Sequence, residues 1–452
     1  MGRIDWQQFG LKKDPYDESP LTEGGDLPIE DVFVDRQEEQ EFLNDLCDAG
    51  ERLCITICGD PGVGKTSLAN RHKFFWKNRH TPKRLFSFRR EIDISLLLLN
   101  KQTFLIEIIG SVLRELQLLQ PGLLKEDLLQ KLTSIVDISQ AISLAGGGLS
   151  FAGFGADVNI EKSRLQPIQL AVTILERYFD LLLAFIKENE IDKKRYDGLI
   201  VHVNNFDTVL TDASQRKQVR NFFQEVRDIL QTKGVYFLFL GPRDFFQDII
   251  APVQRVKSIF HAPLFLKPLS KTDIVRAFDE RMELLQSEDI VRYIKPVEDE
   301  VVFRLYDVYG GDMRLIMSGL RAALNQFAGK IARSLSLDEA LFLLGQELLD
   351  EIEKRMQPTP QQKQILYYFM ESQGSISQKE VAMRFHKAPA NVSGYYLRPF
   401  REACVIEEKS KEGRTPLWDF TREYMPLKFL KESQRKLKED VVIQSQQLKL
   451  FS

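Results

Sequence analysis

The sequence predicts an α/β fold in which helices cover both faces of a parallel sheet, followed by a helical block and a small C-terminal module. Three observations carry this prediction. Apolar strand patterns alternate with amphipathic helix patterns between about residues 34 and 267, which is typical of parallel sheets. A glycine-rich loop joins the first strong strand pattern to a helix pattern. After Pro268 the strand patterns stop and only helical patterns follow.

The individual elements are predicted from apolar spacing. Strands are expected near residues 52–58, 84–93, 198–204 and 235–240. Helices are expected near residues 36–48, 65–78, 100–118, 165–190 and 214–231, and beyond Pro268 near 271–286, 297–309, 312–328 and 337–355. The 235–240 run is almost wholly apolar, as expected for a strand buried on both faces. Pro358-Thr359-Pro360 ends the helical block and indicates a linker.

Five segments follow from these patterns. They are an N-terminal extended segment 1–33, an α/β domain 34–267, a helical lid 268–357, a C-terminal module 358–425 and a polar tail 426–452. The Gly-rich stretch 146–160 predicts a β-hairpin inserted at about 142–160. It is either a flexible surface hairpin or a contact with another subunit or a partner, since Phe151 and Phe154 would otherwise be exposed.

Composition excludes several classes of protein. The chain has 452 residues with 62 Lys and Arg against 65 Asp and Glu, a net charge of −3, so it is not a uniformly basic nucleic-acid coat. Residues 358–452 carry 16 basic and 11 acidic side chains, against 46 and 54 in the rest of the chain, so a local basic character remains. No apolar run approaches the roughly 18–20 residues that span a bilayer, and the N-terminus has no apolar leader. We therefore expect a cytoplasmic protein without membrane contact.

The strongest motif is a phosphate-binding loop. Residues 59–66 read GDPGVGKT, which satisfies G-x-x-x-x-G-K-[ST] between a strand and a helix. The glycines let backbone N–H groups approach phosphates, and the helix N-terminus adds its dipole. Lys65 is expected to reach the β- and γ-phosphates of ATP, and Thr66 to bind Mg²⁺. The predicted nucleotide-binding residues here are Gly59, Asp60, Pro61, Gly62, Val63, Gly64, Lys65, Thr66 and Ser67.

The strand at 198–204 ends where such a site usually carries two acids, one holding the metal and one activating water. Here the two positions are Asn204 and Asn205. An amide cannot accept a proton from water and brings no negative charge to a metal ion. Asp207 is the nearest carboxylate along the chain and is a candidate substitute. The sequence therefore predicts weak or slow ATP hydrolysis.

Two arginines are candidates for contacts with the γ-phosphate. Arg243 follows the strand at 235–240 in the segment Gly241-Pro242-Arg243-Asp244, and the alternative is a solvated loop residue. Arg314 opens a lid helix after Gly310-Gly311-Asp312-Met313. A guanidinium group matches phosphate oxygens, whereas the alternative for Arg314 is an ion pair within its helix.

Residues 361–424 predict a winged helix. The expected elements are helices at Gln361–Glu371, Gln378–Phe385 and Ala390–Ala403, and strands at Val405–Lys409 and Thr415–Phe420. Pro399 predicts a kink or an early end of the third helix. If this module binds DNA, Asn391, Ser393, Tyr395 and Arg398 would face the major groove, and Lys409, Lys411 and Arg414 would reach phosphates. The alternative is a winged helix that contacts protein, because Glu407, Glu408 and Glu412 lie in the wing.

The order of these motifs resembles the AAA+ superfamily, most closely the origin-recognition-type initiator ATPases and the related STAND and archaeal-type ATPases. The resemblance covers roughly residues 30–425. It implies that GDPGVGKT is Walker A, VHVNNFD is Walker B, LGPRD is sensor 1 and GGDMR is sensor 2. It also implies that the segment Val32–Glu39, with Arg36, packs on the adenine. Arg227 is a candidate arginine finger.

Two departures from the family pattern bear on function. The two Walker B acids are Asn204 and Asn205, and sensor 1 carries Arg243, which is more like STAND proteins than initiators. The sequence therefore favours an ATP-binding switch that uses Mg²⁺, forms nucleotide-dependent homo-oligomers and binds DNA through its winged helix, in replication, transposition or defence. The alternatives are a nucleotide-dependent scaffold that recruits a partner protein without touching DNA, and an ATPase motor that uses Asp207.

Overall fold

The computed structural model describes residues 4–25, 27–29, 33, 35–79, 83–146, 172–327, 332–412 and 415–438. Within them the chain forms two compact units. The first unit contains residues 20–60 and 64–267, and the second contains residues 1–19, 61–63 and 268–452. The predicted hairpin therefore lies outside the described residues from 147 onwards.

A parallel sheet forms the centre of the first unit. Its strands are β1 (Leu53–Cys58), β2 (Leu85–Ser87), β3 (Ile92–Asp93), β4 (Gly198–Asn204), β5 (Val235–Gly241) and β6 (Leu264–Phe265). The spatial order is β2-β4-β5-β1-β6, and β3 also pairs with β4. Every residue of β1 and β5 is buried, because their nearly continuous apolar side chains face helices on both sides of the sheet. The predicted α/β fold with a parallel sheet is confirmed.

Helices flank this sheet. They are α1 (Gln37–Ala49), α2 (Lys65–Asn78), α3 (Lys101–Leu119), α4 (Asp127–Gly146), α5 (Val172–Glu188), α6 (Ala213–Glu225) and α7 (Gln254–Lys257), and all but α4 and α7 lie near the predicted places. An aromatic cluster fixes α6 against the sheet. Phe206 lies 4.6 Å from Phe245 between ring centroids, and Phe223 of α6 packs edge-on against Phe239 of β5 at 5.1 Å. Aromatic pairs of this kind add to the area that they bury, and here they hold the carboxyl ends of β4 and β5 in place.

The single strand predicted at 84–93 is wrong, because the structure divides it into β2 and β3. Both pair with β4 at different levels, Leu85 opposite Gly198 and Asp93 opposite Asn204. Between them the Lys73 ammonium, buried under the sheet, donates to the carbonyls of Phe88 and Arg89, each at 3.1 Å. A buried ammonium needs such acceptors, so these carbonyls leave the ladder and the strand is interrupted.

Helix α4 was not predicted. Leu128, Leu129, Leu132, Ile135 and Val136 have the spacing of one helix face, and Leu129 and Leu132 are fully buried. The helix extends to Gly146, so the predicted hairpin boundary at 142 is wrong for residues 142–146. The missed signal was the ordinary helical period just before the Gly-rich stretch.

The second unit contains the lid helices. They are α8 (Lys271–Leu285), α9 (Asp299–Tyr309), α10 (Met313–Phe327) and α11 (Leu337–Met356). The N-terminal segment packs on this unit, with Phe9, Leu11 and Tyr16 buried. Lys12 N donates to Leu285 O at 2.7 Å, and Arg281 Nη1 donates to Asp17 O at 3.1 Å. The predicted N-terminal extended segment therefore contributes buried side chains to the core of the second unit.

The predicted winged helix is confirmed. Its elements are α12 (Pro360–Glu371), β7 (Ile376–Ser377), α13 (Gln378–Arg384), α14 (Pro389–Asn391), a π-helical turn at Val392–Leu397, α15 (Arg398–Glu402), β8 (Ile406–Glu412) and β9 (Thr415–Phe420). The three strands form an antiparallel sheet in the order β7-β9-β8. Together α14, the π turn and α15 form the third helix, which presents Val392, Leu397 and Phe400 to the module's core.

Pro399 is accommodated inside the third helix without ending it. Proline has no N–H, so the carbonyl four residues earlier, that of Tyr395, loses its helical donor. Gln362 Nε2 donates to this carbonyl at 3.0 Å. The preceding residues 392–397 adopt a π turn, which is a common way for a helix to absorb such a defect. The third helix is therefore distorted at Ser393 and Tyr395, two of the four residues predicted to face the major groove.

The tail predicted to be polar from residue 426 is partly wrong. A helical segment covers residues 422–438, and its Leu427 and Leu430 are buried. Tyr424 Oη donates to Glu351 of α11 at 2.8 Å, and Lys428 pairs with Asp419 of β9 at 2.7 Å. This segment therefore joins the winged helix to the lid helices within one compact unit.

Candidate nucleotide-binding site

The phosphate-binding loop lies between β1 and α2, as predicted. Gly59 N donates to Gly241 O at 3.3 Å, which places the start of the loop beside the end of β5. Gly62 and Gly64 have φ values of 72° and 92°, a conformation that glycine adopts without strain. The Lys65 ammonium donates to the carbonyls of Gly59 and Asp60 at 2.8 and 2.9 Å, so its charge lies inside the loop.

Asn204 occupies the end of β4 next to this loop. Its Nδ2 donates to Thr66 Oγ1 at 3.0 Å. The strand before it is buried throughout, so the position of Asn204 is set by the sheet rather than by a mobile loop. At this position a carboxylate would accept a hydrogen bond from the Thr66 hydroxyl. The Asn204 amide donates to the hydroxyl instead and brings no negative charge.

Asn205 points to the neighbouring strand. It has a φ of 65°, a left-handed conformation that asparagine tolerates better than most residues. Its Nδ2 donates to Asp93 Oδ1 at 2.6 Å. Asp207 lies beyond this turn and is exposed in the 3₁₀ turn Phe206–Val209. Motif spacing does not point to Asp93, because it lies 112 residues away from Asn205 along the chain.

The remaining candidates of the first unit have different surroundings. Arg243 is exposed after the end of β5. Arg36 is 9% exposed; it pairs with Glu39 at 2.8 Å and donates to Lys267 O at 2.6 Å. Arg227, the candidate arginine finger, donates to Arg255 O at 3.3 Å. Arg36 is therefore fixed by the fold, whereas Arg243 faces solvent.

In the second unit Asp312 lies between Gly62 of the phosphate-binding loop and the start of α10. Its buried carboxylate accepts from Arg314 N at 3.0 Å and Leu315 N at 3.2 Å, which caps the helix. A Cβ added to Gly62 would lie 1.8 Å from Asp312 Oδ1, so only glycine fits there. Burial raises the pKa of the Asp312 carboxyl, although both backbone hydrogen bonds oppose this. Arg314 itself has an exposed side chain.

The candidate DNA-binding residues lie on the third helix and the wing. Asn391, Ser393, Tyr395 and Arg398 are exposed. Arg398 pairs with Glu402 at 2.7 Å, and Lys409 pairs with Glu407. The Lys411 side chain and the whole of Arg414 lie outside the described residues. The turn before the helix adds His386 and Lys387, which are also exposed and which the sequence analysis did not select.

The apolar surroundings of the site keep its sulfur and imidazole groups neutral. Burial raises the pKa of the Cys54 and Cys58 thiols in β1. It also lowers the pKa of His202, in the middle of β4, well below its usual range. These groups therefore contribute to the core.

Among the described residues, none of the helices has the length and apolar character that a bilayer span requires.

The strand order and the loop between β1 and α2 define a P-loop α/β fold, to which the second unit adds lid helices and a winged helix. No protein-family model matches the chain. The chain is 20% identical over 426 residues to an uncharacterized HTH-type transcriptional regulator of Methanocaldococcus jannaschii, and the match covers 91% of each.

Solved structures of similar chains include two archaeal origin-recognition proteins. The Aeropyrum pernix ORC2 protein has a TM-score of 0.48 and 15% identity, and the match covers 96% of this chain and 100% of that one. The Aeropyrum pernix ORC1 protein in complex with DNA has a TM-score of 0.45 and 14% identity, with 90% and 96% covered. The chain is similar to these proteins, and its fold class rests on its own strand order and loop.

Proposed function

We propose that this protein is an ATP-binding switch with slow hydrolysis, whose nucleotide state controls DNA binding through the winged helix. The observation that carries the proposal is the bond from Asn204 Nδ2 to Thr66 Oγ1, beside a complete phosphate-binding loop. The loop supports nucleotide binding, and the amide, where a carboxylate is usual, supports slow turnover. A slowly hydrolysed nucleotide suits a switch better than a motor.

The residues of the loop fit a magnesium–nucleotide complex. Gly64 leaves open space, with no atom within 4 Å of an added Cβ, and the Lys65 ammonium already occupies the loop. Lys65 would bind phosphate oxygens, and Thr66 would bind Mg²⁺. The ion would supply positive charge beside the phosphates. Arg243 and Arg314 remain proposed contacts for the γ-phosphate, and the segment that contains Arg36 remains the proposed contact for the adenine ring.

Two features support DNA as the ligand of the winged helix. The exposed turn and third helix offer Lys387, Asn391, Ser393 and Arg398 to a partner, and such residues contact bases and phosphates in known DNA-binding motifs. The relative from M. jannaschii is named an HTH-type transcriptional regulator. The helical segment 422–438 packs the winged helix on the lid helices. A lid that moves when nucleotide binds would therefore also move the winged helix. We propose that the same movement controls homo-oligomer formation.

A mobility-shift titration with and without ATP, at two salt concentrations, tests the DNA part of the proposal. We expect binding that weakens with salt and an affinity that changes when ATP is added. In Lys65→Ala the ATP effect should vanish while binding in the absence of nucleotide remains. Absence of salt-dependent binding in both nucleotide states would refute DNA binding.

One observation favours a second function, a scaffold that recruits a partner protein. Two of the predicted DNA-binding cations, Arg398 and Lys409, are already paired with carboxylates. The neighbouring Tyr395 is 71% exposed and Met383 is 70% exposed, and such side chains are common in protein interfaces. In that case ATP would change the affinity for protein and leave DNA unbound.

A further inference from the structure

The hydrogen-bond geometry at the end of β4 places a carboxylate on the neighbouring strand. Asp93 ends β3 and lies opposite Asn204 in the parallel register. Neighbouring strands lie about 4.8 Å apart, so Asp93 is one strand away from the residue that holds the Thr66 hydroxyl. Ile94 N donates to Asn204 O at 3.0 Å, which locks this register.

The side chains of the two strands are also joined. Asn205 Nδ2 donates to Asp93 Oδ1 at 2.6 Å. The Asp93 carboxylate and the Asn205 amide thus form one hydrogen-bonded pair across the strand ends. The acidic member of this pair, Asp93, belongs to β3. The second oxygen of Asp93 retains acceptor capacity, because a carboxylate accepts at both oxygens. Asp93 is exposed at this edge and can therefore be reached by water.

We propose that Asp93 is the general base for the slow hydrolysis of ATP, in place of the acids that Asn204 and Asn205 replace. The inference rests on the proposed function, because it requires ATP in the loop. A water oxygen bonds to the γ-phosphorus, and the bond from that phosphorus to the bridging oxygen breaks, leaving its electron pair on ADP. The water proton passes to the Asp93 carboxylate and then to solvent, so ATP and water give ADP, phosphate and a proton.

The electrostatic surroundings of Asp93 suit this role. Partial burial and the nearby carboxylate of Glu91 raise the pKa of the Asp93 carboxyl, the hydrogen bond from Asn205 opposes the increase, and Glu107 of α3 adds to it. Glu107 is itself paired with Arg114 at 2.6 Å. A more basic carboxylate is a better proton acceptor. Asp207, the acid favoured by sequence spacing, is exposed in the following turn and has no comparable link to Asn204 or Asn205.

The test compares Asp93→Asn with the wild type and with the exchanged pair Asp93→Asn/Asn205→Asp. The single variant keeps the shape of the side chain but loses the base, so turnover should fall about 100-fold, the lower bound for general-base catalysis. The exchanged pair keeps an amide bonded to a carboxylate and moves the acid to position 205, directly after β4, so at least part of the turnover should return. Asp180→Asn, which removes an exposed carboxylate from α5, is the control and should leave turnover unchanged.

A binding readout separates catalysis from structure. Asp93→Asn should bind the nonhydrolysable analogue ADPNP as the wild type does, but should bind the transition-state mimic ADP–aluminium fluoride more weakly. Wild-type turnover too slow to measure, full turnover in Asp93→Asn, or equal losses of affinity for the two analogues would each overturn the role of Asp93. Failure of the wild type to bind ADPNP would instead refute the proposed nucleotide switch.

Discussion

The edge of the parallel sheet and the surface of the winged helix both present polar side chains, but they hold them in different ways. Asn204 ends a strand whose other residues are all buried, and it bonds to Thr66 across 138 residues of chain. Arg398 projects from an exposed helix and pairs with Glu402 one turn away. The first arrangement is set by the register of the sheet. The second must exchange an internal ion pair for a contact with its ligand.

This difference predicts unequal sensitivity to substitution. A preorganised site loses most of its binding when one central group is removed. Exposed ion pairs of the kind seen in the winged helix are worth only about 0.2–1 kcal/mol each. We therefore expect large effects at the loop and small, salt-dependent effects at the winged helix.

The largest effect is expected for Lys65→Ala. Loss of the ammonium removes the charge inside the loop, and charge-assisted bonds to phosphate are among the strong ones, so ATP affinity should fall at least 100-fold. Titration of a fluorescent ATP analogue measures this. Lys131→Ala, which removes an ammonium from an exposed pair with Asp127, should bind as the wild type does. An affinity in Lys65→Ala within about threefold of the wild type would show that the loop is not the nucleotide site.

A smaller effect distinguishes two glycines of the loop. Alanine at Gly62 or Gly64 should lower the free energy of unfolding by roughly 1–2 kcal/mol, because φ is positive at both positions. At Gly62 the new methyl group also meets Asp312 Oδ1, whereas at Gly64 it meets nothing. Gly62→Ala should therefore lower the melting temperature more than Gly64→Ala does.

A double-mutant cycle isolates the contact between Gly62 and Asp312. In the Asp312→Ala background the substitution Gly62→Ala should cost less than in the wild type, because the overlapping carboxylate is gone. Additive effects of the two substitutions would argue against this contact.

The smallest effect is expected at the winged helix. Glu402→Gln releases Arg398 from a pair worth about 0.3–0.5 kcal/mol, so DNA affinity should rise about twofold. Asp127→Asn breaks a pair with the same spacing and the same 2.7 Å distance in the other unit and should leave DNA affinity unchanged. The measurement is a mobility-shift titration, and weaker binding by Glu402→Gln would favour the protein-recruiting function.

Sequence patterns predicted the sheet, most helices and the winged helix, because each depends on local apolar spacing. They missed the interruption between β2 and β3, which depends on a buried lysine reaching two carbonyls. For the same reason they missed Asp93, whose place opposite Asn204 follows from strand register. The pairing of Arg398 with Glu402 could be predicted from the sequence, since a spacing of four residues on a helix favours an ion pair.

In the function proposed above, this protein holds ATP without rapid turnover. The decisive measurement is phosphate release from the wild type at saturating ATP and magnesium, in a sample whose bound nucleotide is also quantified. The structure predicts saturable ATP binding with a turnover far below about 1 s⁻¹, the low end of typical enzyme rates. Turnover at or above that rate, or no bound nucleotide, would contradict the claim.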